Sequence, residues 1–285
     1  MLFGLIMFLK SLAAFRAQAH EQEIFTDRIY TASMALTILF LIGYIFVGAM
    51  FMIRSTMSTT DLIISLLLFF GAIFVCAMVI TLKKMSAAIS RKTDEITKTL
   101  VNAMEAKDHY TQGHSVHVAE IVRLIYGHLP DRIKNGICRT RLMDAAILHD
   151  IGKIGIPDNI LNKPGKLSSE ERKIIEQHVT YGKNILEPTS YQHIGDIVYY
   201  HHERLDGRGY LKVAAEDIPI EARIITVADT FSALSTDRIY RPRKSYDEAI
   251  RIIKEVADTQ LDTEIVAVLC EIPKELLEAK KDEIQ

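Results

Sequence analysis

The sequence predicts an all-α protein in which two membrane-spanning helices precede a helical domain. Two runs without a charged residue, 29–53 and 62–82, are each long enough to cross a bilayer, because a spanning helix needs about 20 apolar residues. From Thr111 onward the apolar residues recur at helical spacing, and no strand-like alternation persists. The length of 285 residues and the apolar content of 49% allow one substantial folded domain beside these spans.

The first 28 residues are predicted to form an interfacial segment before a transmembrane hairpin at 29–82. The stretch 1–15 is apolar but lacks the basic residues that begin a secretory signal, so a cleaved leader is the weaker alternative. Between the two spans the chain has a single basic residue, Arg54. More basic residues lie before the first span and after the second: Lys10, Arg16, Arg28, Lys83, Lys84, Arg91 and Lys92. Because basic residues stay inside, we expect a multi-pass protein of the inner (cytoplasmic) membrane with both ends in the cytoplasm.

Residues 83–107 are predicted to form a linker helix that leads into a domain at 108–285. Several apolar residues fall near one helical face with heptad-like gaps: Met85, Ile89, Ile96, Leu100 and Ala103. This face could pair with a second copy of the chain, which would make a homodimer. The alternative is an amphipathic helix that lies on its own domain, and the stretch is too short to choose between the two.

Helix starts within the domain are indicated by two capping boxes, Ser168 with Glu171 and Ser245 with Glu248. We therefore expect helices that begin at about Ser169 and Tyr246. Two irregular stretches rich in Gly and Pro, 155–167 and 206–219, separate the helical segments. Binding residues often lie on such loops when a rigid helical frame supports them.

Charge and cysteine content exclude several classes of function. The formal net charge is −2, from 34 Lys and Arg against 36 Asp and Glu, which gives no general attraction to a nucleic acid polymer. The three cysteines share no CxxC spacing, so neither a disulfide nor a thiolate metal site is indicated. A small phosphorylated ligand needs only a local basic pocket.

Histidines and aspartates with the chemistry of metal ligands recur through the domain. Two groups lie within conspicuous motifs, His149 and Asp150 in "HDIGK" and His201 and His202 in "HHERLDGRGY". Such a pair at the end of an apolar helix favours metal binding over a role in the core. Other histidines lack this context and are interpreted as ordinary core residues: His20, His109, His117, His128 and His193.

Together with "VADTFSAL", these motifs resemble the HD-GYP subfamily of the HD phosphohydrolase superfamily. The resemblance runs from about residue 93 to about 272 and includes the segment "DHYTQGHS" at 108–115. It implies a helical HD-type domain that hydrolyses cyclic di-GMP to linear pGpG, with GMP as a further product.

Position by position, the resemblance implies a set of metal ligands, all of which are present: His114, His149, Asp150, His178, His201, His202 and Asp229. This set suits two divalent cations bridged by Asp150, with iron or manganese favoured and zinc as an alternative. A hydroxide that bridges the cations would be the nucleophile. Some family members bind a third metal through a glutamate, but Tyr110 occupies that position here.

The resemblance also implies residues that act on the substrate. Lys153 matches a lysine near the scissile phosphate, where it could neutralise charge or protonate the leaving oxygen. Arg238 and Arg241 match cations that bind phosphate, and Asp108 and Tyr210 correspond to positions on the substrate side.

Three residues depart from the family pattern. Leu211 replaces the proline of "GYP", Ser232 stands where an aspartate is usual, and His117 stands where arginine is common. Loss of the proline predicts a looser loop, because the unfolded and unbound loop gains conformational freedom. The effect on free energy is about 0.4–1 kcal/mol. Leu211 and Ser232 motivate the alternative of a non-catalytic receptor for cyclic dinucleotides or a scaffold for a diguanylate cyclase. A hydrolase of another nucleotide is a third alternative.

Overall fold

The structure, a computed structural model, describes residues 35, 36, 38–40, 42, 43, 45–50, 58–108, 113–236 and 242–278. Its described part contains no β-strand, only an isolated bridge between Ala257 and Leu261, so the predicted all-α class is confirmed. Two compact units are distinguished, Met1–Glu95 and Ile96–Gln285. The predicted interfacial segment at 1–28 lies outside the described residues, and the predicted domain boundaries stay predictions.

The described part of the first unit is almost entirely helical, and much of it is apolar. Helix α1 covers Ile38–Met50, and α2 covers Thr59–Lys107, which continues past the end of this unit. Among the described residues, α2 is the helix that is long and apolar enough to cross a membrane, whereas α1 is shorter. The apolar side chains of α2, such as Leu67 and Phe74, are exposed. A hairpin of two spanning helices therefore stays a prediction.

The end of α2 belongs to the second unit and has two different faces. Val101 and Met104 are buried in the core of that unit, so one face of the helix packs on its own domain. Ile96 and Leu100, from the predicted heptad face, are exposed. Pairing of that exposed face with a second copy stays a prediction.

The second unit is a set of short helices around one hydrophobic core. The helices after α2 are α3 (His114–His128), α4 (Asp131–Lys134), α5 (Arg139–Leu148), α6 (Asp158–Leu161), α7 (Ser169–Glu176), α8 (His178–Leu186), α9 (Gly195–Tyr200), α10 (Ile220–Ser235), α11 (Tyr246–Glu255), α12 (Thr263–Glu271) and α13 (Lys274–Glu278). Three 3-10 helices connect them at Ile151–Gly155, Gln192–Ile194 and Ala215–Asp217.

Helix α10 is central to this core because it packs against α3, α9, α11 and α12. Its apolar residues Ile225 and Phe231 are fully buried, as are Val122 of α3 and Leu142 of α5. Burial of each such side chain stabilises the fold by about 1.5–3 kcal/mol. The predicted metal ligands lie on or directly beside five helices: α3, α5, α8, α9 and α10. The same packing that forms the core therefore also brings those ligands together.

Both predicted helix starts are observed, at Ser169 and Tyr246, but only one capping box is complete. The Ser168 hydroxyl accepts a hydrogen bond from the Glu171 N–H, and the Glu171 carboxylate accepts one from the Ser168 N–H. At the second start the Glu248 carboxylate pairs with Lys244 instead. The prediction of a full second box is therefore wrong, because only the half that the Ser245 hydroxyl supplies is formed.

A close backbone approach holds α8 against the 3-10 helix at Ile151–Gly155. A Cβ atom added to Gly152 would overlap the carbonyl oxygen of His178 and the amide nitrogen of Gly182. Both obstacles are backbone atoms, which cannot move aside as a flexible side chain can. Gly152 therefore allows the segment that follows Asp150 to lie directly on the helix that begins with His178.

We expect Gly152→Ala to destabilise the domain by about 3 kcal/mol, because the added methyl group forces two backbone segments apart. Chemical denaturation monitored by circular dichroism measures the change. Gly127→Ala is the matched control: its Cβ would meet no atom within 4 Å, and alanine suits a helix better than glycine by about 0.5–1 kcal/mol. Equal stability of the two variants would contradict the close-approach argument.

Candidate metal centre

Two groups of buried histidines meet at one carboxylate. Asp150 belongs to both groups, one with His114 and His149 and the other with His178, His201 and His202, and within each group the ligand atoms lie within 4.8 Å of one another. Six of the predicted ligands thus converge, although they come from segments far apart in sequence. Imidazole and carboxylate donors at this spacing are able to hold divalent metal ions.

The two oxygens of Asp150 face different histidines. Oδ2 lies 3.4 Å from Nε2 of His149, and Oδ1 lies 3.4 Å from Nε2 of His178. The ring centroids of His149 and His201 are 5.1 Å apart, so the two groups also contact each other directly through their rings. Asp150 therefore has the geometry of a bridging ligand between two adjacent sites.

Three of the histidines are oriented in the same way, because each follows the end of a helical turn. Nδ1 donates to the carbonyl oxygen three residues earlier at His149 (Ala146, 2.8 Å), His178 (Ile175, 2.8 Å) and His201 (Val198, 2.6 Å). This bond fixes the tautomer and leaves the lone pair on Nε2.

Those lone pairs point into the cluster and are not used within the protein. The buried atoms Nε2 of His149, His178 and His201, and Oδ1 of Asp150, make no hydrogen bond. Buried polar atoms without a hydrogen bond are rare and costly, by about 1–3 kcal/mol each. A cation bound in the cluster would give these nitrogen and oxygen atoms a partner. The residues present therefore suit the metal centre that the sequence predicts.

His114 is oriented by side chains instead, because it begins α3. Its Nε2 lies 2.9 Å from Oδ1 of Asp229 on α10, and its Nδ1 lies 3.0 Å from the hydroxyl oxygen of Ser232. The same hydroxyl is 2.8 Å from Nδ1 of His117. Asp229 thus contacts the cluster through His114 and completes the set of predicted ligands in one region. Two of the residues that depart from the family pattern, His117 and Ser232, contact each other.

Burial and mutual repulsion keep most of these imidazoles neutral. Burial, together with repulsion that His178 would exert on a second positive charge, lowers the pKa of His202 to about 3. Burial and the neighbouring His202 hold the pKa of His201 well below its usual value. At His149, by contrast, the loss of solvent is outweighed by the Asp150 carboxylate, and the pKa is raised. Neutral imidazoles are the form that binds metals.

Lys153 is tied to two carboxylates at the edge of the cluster. Its Nζ lies 2.7 Å from Oδ2 of Asp150 and 3.1 Å from Oδ2 of Asp108. Burial alone would lower the pKa of the Lys153 ammonium, but Asp150 and Asp108 outweigh it and raise that pKa. The residues predicted to act on the substrate from this side therefore lie together, and Lys153 stays positively charged at neutral pH.

The cluster opens into a cavity of about 620 Å³, a volume typical of small-molecule sites. His114, Asp150, Lys153, His178, His202, Asp229 and Tyr210 are among the residues that line it. The Tyr210 ring lies over His202, with ring centroids 4.7 Å apart. The predicted phosphate contacts Arg238 and Arg241, and Tyr110 at the third metal position, lie outside the described residues.

Sequence reasoning missed other residues of this region. Arg172 and Arg208 line the cavity and add positive charge to it. Glu105 is buried, and its carboxylate accepts hydrogen bonds from the N–H groups of Gly113 (2.7 Å) and Ser115 (2.9 Å) at the start of α3. Glu105 lies outside every motif, so no signal in the sequence indicated this contact. Glu203 lies directly after the paired histidines, and this position in the motif is a signal that the sequence does contain.

Known proteins are similar to this chain in sequence. The HD domain family matches residues 81–265 of the chain. A relative named "3'3'-cGAMP-specific phosphodiesterase 3", from Vibrio cholerae, is 40% identical over 58% of this chain and 36% of its own length. A relative from Thermotoga maritima named "Cyclic di-GMP phosphodiesterase" is 36% identical over 66% of this chain and 52% of its own length.

Among solved structures, "Bd1817, a HDG"Y"P protein from Bdellovibrio bacteriovorus" aligns with a TM-score of 0.45 and 19% identity, over 56% of this chain and 51% of that one. The matched region spans from about a third to about half of the length of the two curated relatives.

We expect Ser232→Ala to weaken metal binding about 10- to 100-fold, because the Nδ1 of His114 loses the partner that orients its ring. Isothermal titration of the metal-free chain with Mn²⁺ measures the affinity. Ser235→Ala is the control, since the Ser235 hydroxyl is buried one turn later on α10 and makes no hydrogen bond. An unchanged affinity in Ser232→Ala would show that this hydroxyl does not position the ligand.

Proposed function

The chain belongs to the HD domain family, and we propose that it is a metal-dependent phosphodiesterase that hydrolyses cyclic di-GMP. The observation that carries this proposal is the convergence of two histidine groups on Asp150, next to Lys153 and a cavity of suitable size. The names of the relatives support the same substrate class. The product is linear pGpG, with GMP as a further product.

Two divalent cations fit the donor set. One would be held by His114, His149 and Asp150, and the other by Asp150, His178, His201 and His202, with Asp229 beside His114. When bound, such cations polarise phosphoryl oxygens and lower the pKa of water, which supplies a nucleophile at neutral pH. The donors are imidazole and carboxylate without thiolate, which suits iron or manganese as well as zinc.

The side chains around the cations would position the substrate and stabilise charge. Attack of water on phosphorus forms a new P–O bond and breaks the bond to the ribose oxygen, which then takes up a proton. Lys153 is well placed to neutralise the charge that develops on the phosphoryl group. Its raised pKa favours this role over donation of the proton, because an ammonium held by two carboxylates is a weak acid.

We expect the full-length chain, purified in detergent and loaded anaerobically with Fe²⁺ or Mn²⁺, to convert cyclic di-GMP to pGpG. His149→Ala should lower kcat at least about 100-fold, because it removes a ligand at the centre of the cluster. Separation of the nucleotides by ion-pair chromatography measures both the rate and the products. His193→Ala is the matched control: Nδ1 of His193 also bonds the carbonyl three residues earlier, but its ring is exposed and outside the cluster.

Two other outcomes would redirect this proposal. Tight binding of cyclic di-GMP without turnover by the metal-loaded chain would contradict hydrolysis and favour a receptor. A higher kcat/KM for 3'3'-cGAMP would keep the reaction and change the substrate. The 40% identity to a phosphodiesterase named for 3'3'-cGAMP is the specific reason to test that nucleotide in parallel.

We also propose that the chain is anchored in the inner membrane, with this domain in the cytoplasm. Exposed apolar side chains along 62–82 and the basic residues at 83–92 support the proposal. After cell lysis and a carbonate wash, we expect the full chain to sediment with the membranes. Recovery in the supernatant would contradict anchoring. A reporter enzyme that works only outside the cytoplasm should be active when it is fused after residue 57. The same reporter should be inactive when it is fused after residue 92.

A further inference from the structure

We propose that Glu203 is a positioning residue that fixes Tyr210 over the metal centre through the backbone of the loop at 206–213. This inference rests on the proposed function only in that Tyr210 faces the substrate. Glu203 follows His202 directly and is buried. Its side chain does not enter the histidine cluster but turns toward the loop.

Both carboxylate oxygens of Glu203 accept hydrogen bonds from loop N–H groups. Leu211 donates to Oε1 at 2.7 Å, and Val213 donates to Oε2 at 3.2 Å. Hydrogen bonds to an ionised carboxylate are among the stronger ones in proteins. A buried carboxylate needs such partners, and here it obtains them from two alternate residues of the loop.

The residue between these donors adopts the conformation that this arrangement requires. Lys212 has φ +59, in the left-handed region that residues other than glycine seldom occupy. A left-handed residue turns the N–H groups on either side of it toward the same point, which forms a concave site for an anion. The two bonds to Glu203 are the reason that Lys212 holds this conformation.

The other side of Tyr210 is fixed by direct contact. A Cβ atom on Gly209 would lie 2.6 Å from Cα and 2.7 Å from Cδ of Glu203, so the loop backbone lies against this residue. Tyr210 is therefore held between Gly209 and Leu211, both of which touch Glu203. Its ring contacts His202, with centroids 4.7 Å apart, and His178, with centroids 6.1 Å apart.

The leucine at position 211 makes this clamp possible. Proline has no backbone N–H and could not donate to Oε1. The chain thus replaces the restraint of a proline ring with a hydrogen bond to a buried carboxylate. The prediction that Leu211 loosens the loop concerned its unfolded and unbound states and stays a prediction; in the folded protein, the N–H that leucine brings anchors the loop to Glu203.

Amide hydrogen exchange on the full-length, Mn²⁺-loaded chain in detergent tests the clamp without any need for turnover. We expect the amides of Leu211 and Val213 to exchange slowly, and Glu203→Gln to accelerate their exchange about 10-fold, because glutamine keeps one acceptor oxygen and presents a donor to the other N–H. Glu216→Gln is the control, since it makes the same change on an exposed residue after the loop.

Leu211→Pro and Leu211→Ala separate the backbone from the side chain. Proline removes the N–H and should accelerate exchange at Val213, whereas alanine keeps the N–H and should preserve the protection. This pair also covers the case in which Glu203→Gln does not fold, because it leaves the carboxylate in place.

Kinetics with cyclic di-GMP supply the second readout. Glu203→Gln and Leu211→Pro should raise KM about 10-fold with a smaller effect on kcat and unchanged metal content, because Tyr210 loses its position while the ligands remain. Free exchange of Leu211 and Val213 in the unsubstituted chain, or loss of metal together with protection in Glu203→Gln, would overturn the proposal. An unsubstituted chain with protected amides but no turnover would overturn the proposed hydrolysis and leave the clamp intact.

Discussion

The carboxylate of Asp150 is the point on which the rest of the domain depends. A buried anion is costly unless positive charge or hydrogen-bond donors surround it. Lys153 supplies one such charge, at 2.7 Å, and the Nε2 lone pairs of His149 and His178 on either side, which no hydrogen bond uses, could bind cations. The packing of α8 on the segment after Asp150 brings these groups together, and that packing requires a residue without a side chain at Gly152.

The position of each histidine relative to its helix determines how it is oriented. His149 and His201 follow the last turn of a helix, where carbonyl oxygens lack intrahelical partners, so a backbone oxygen can accept from Nδ1. His114 stands at the first turn of α3, where N–H groups rather than carbonyl oxygens lack intrahelical partners. It needs a side-chain oxygen for the same purpose, and Ser232 provides it. Nδ1 of each histidine thus has an oxygen partner, which is a backbone carbonyl at the end of a helix and a side-chain hydroxyl at the start of one.

Much of the site could be predicted from sequence because its residues lie in contiguous motifs, as His149 and Asp150 do. The contacts of Glu105 and of the pair His117 and Ser232 could not, since they join a side chain to a backbone N–H or to a residue 115 positions away. Helix starts at Ser169 and Tyr246 were predictable from local capping signals. Membrane crossing by the segment at 29–53 depends on a bilayer, so composition predicts it and packing within the chain does not decide it.

The departures from the family pattern concern the surroundings of the ligands and leave the ligands themselves in place. A serine and a histidine in contact replace an acidic and a basic residue, so both members of this pair next to His114 differ from the family pattern together. At position 211, a hydrogen bond to Glu203 replaces the stiffness of a ring. The cations would therefore meet the same donors as in the family pattern, which preserves the class of reaction. Under the proposed function, discrimination between cyclic dinucleotides can change at little cost to metal binding in the loop beside Tyr210, where the restraint differs in kind.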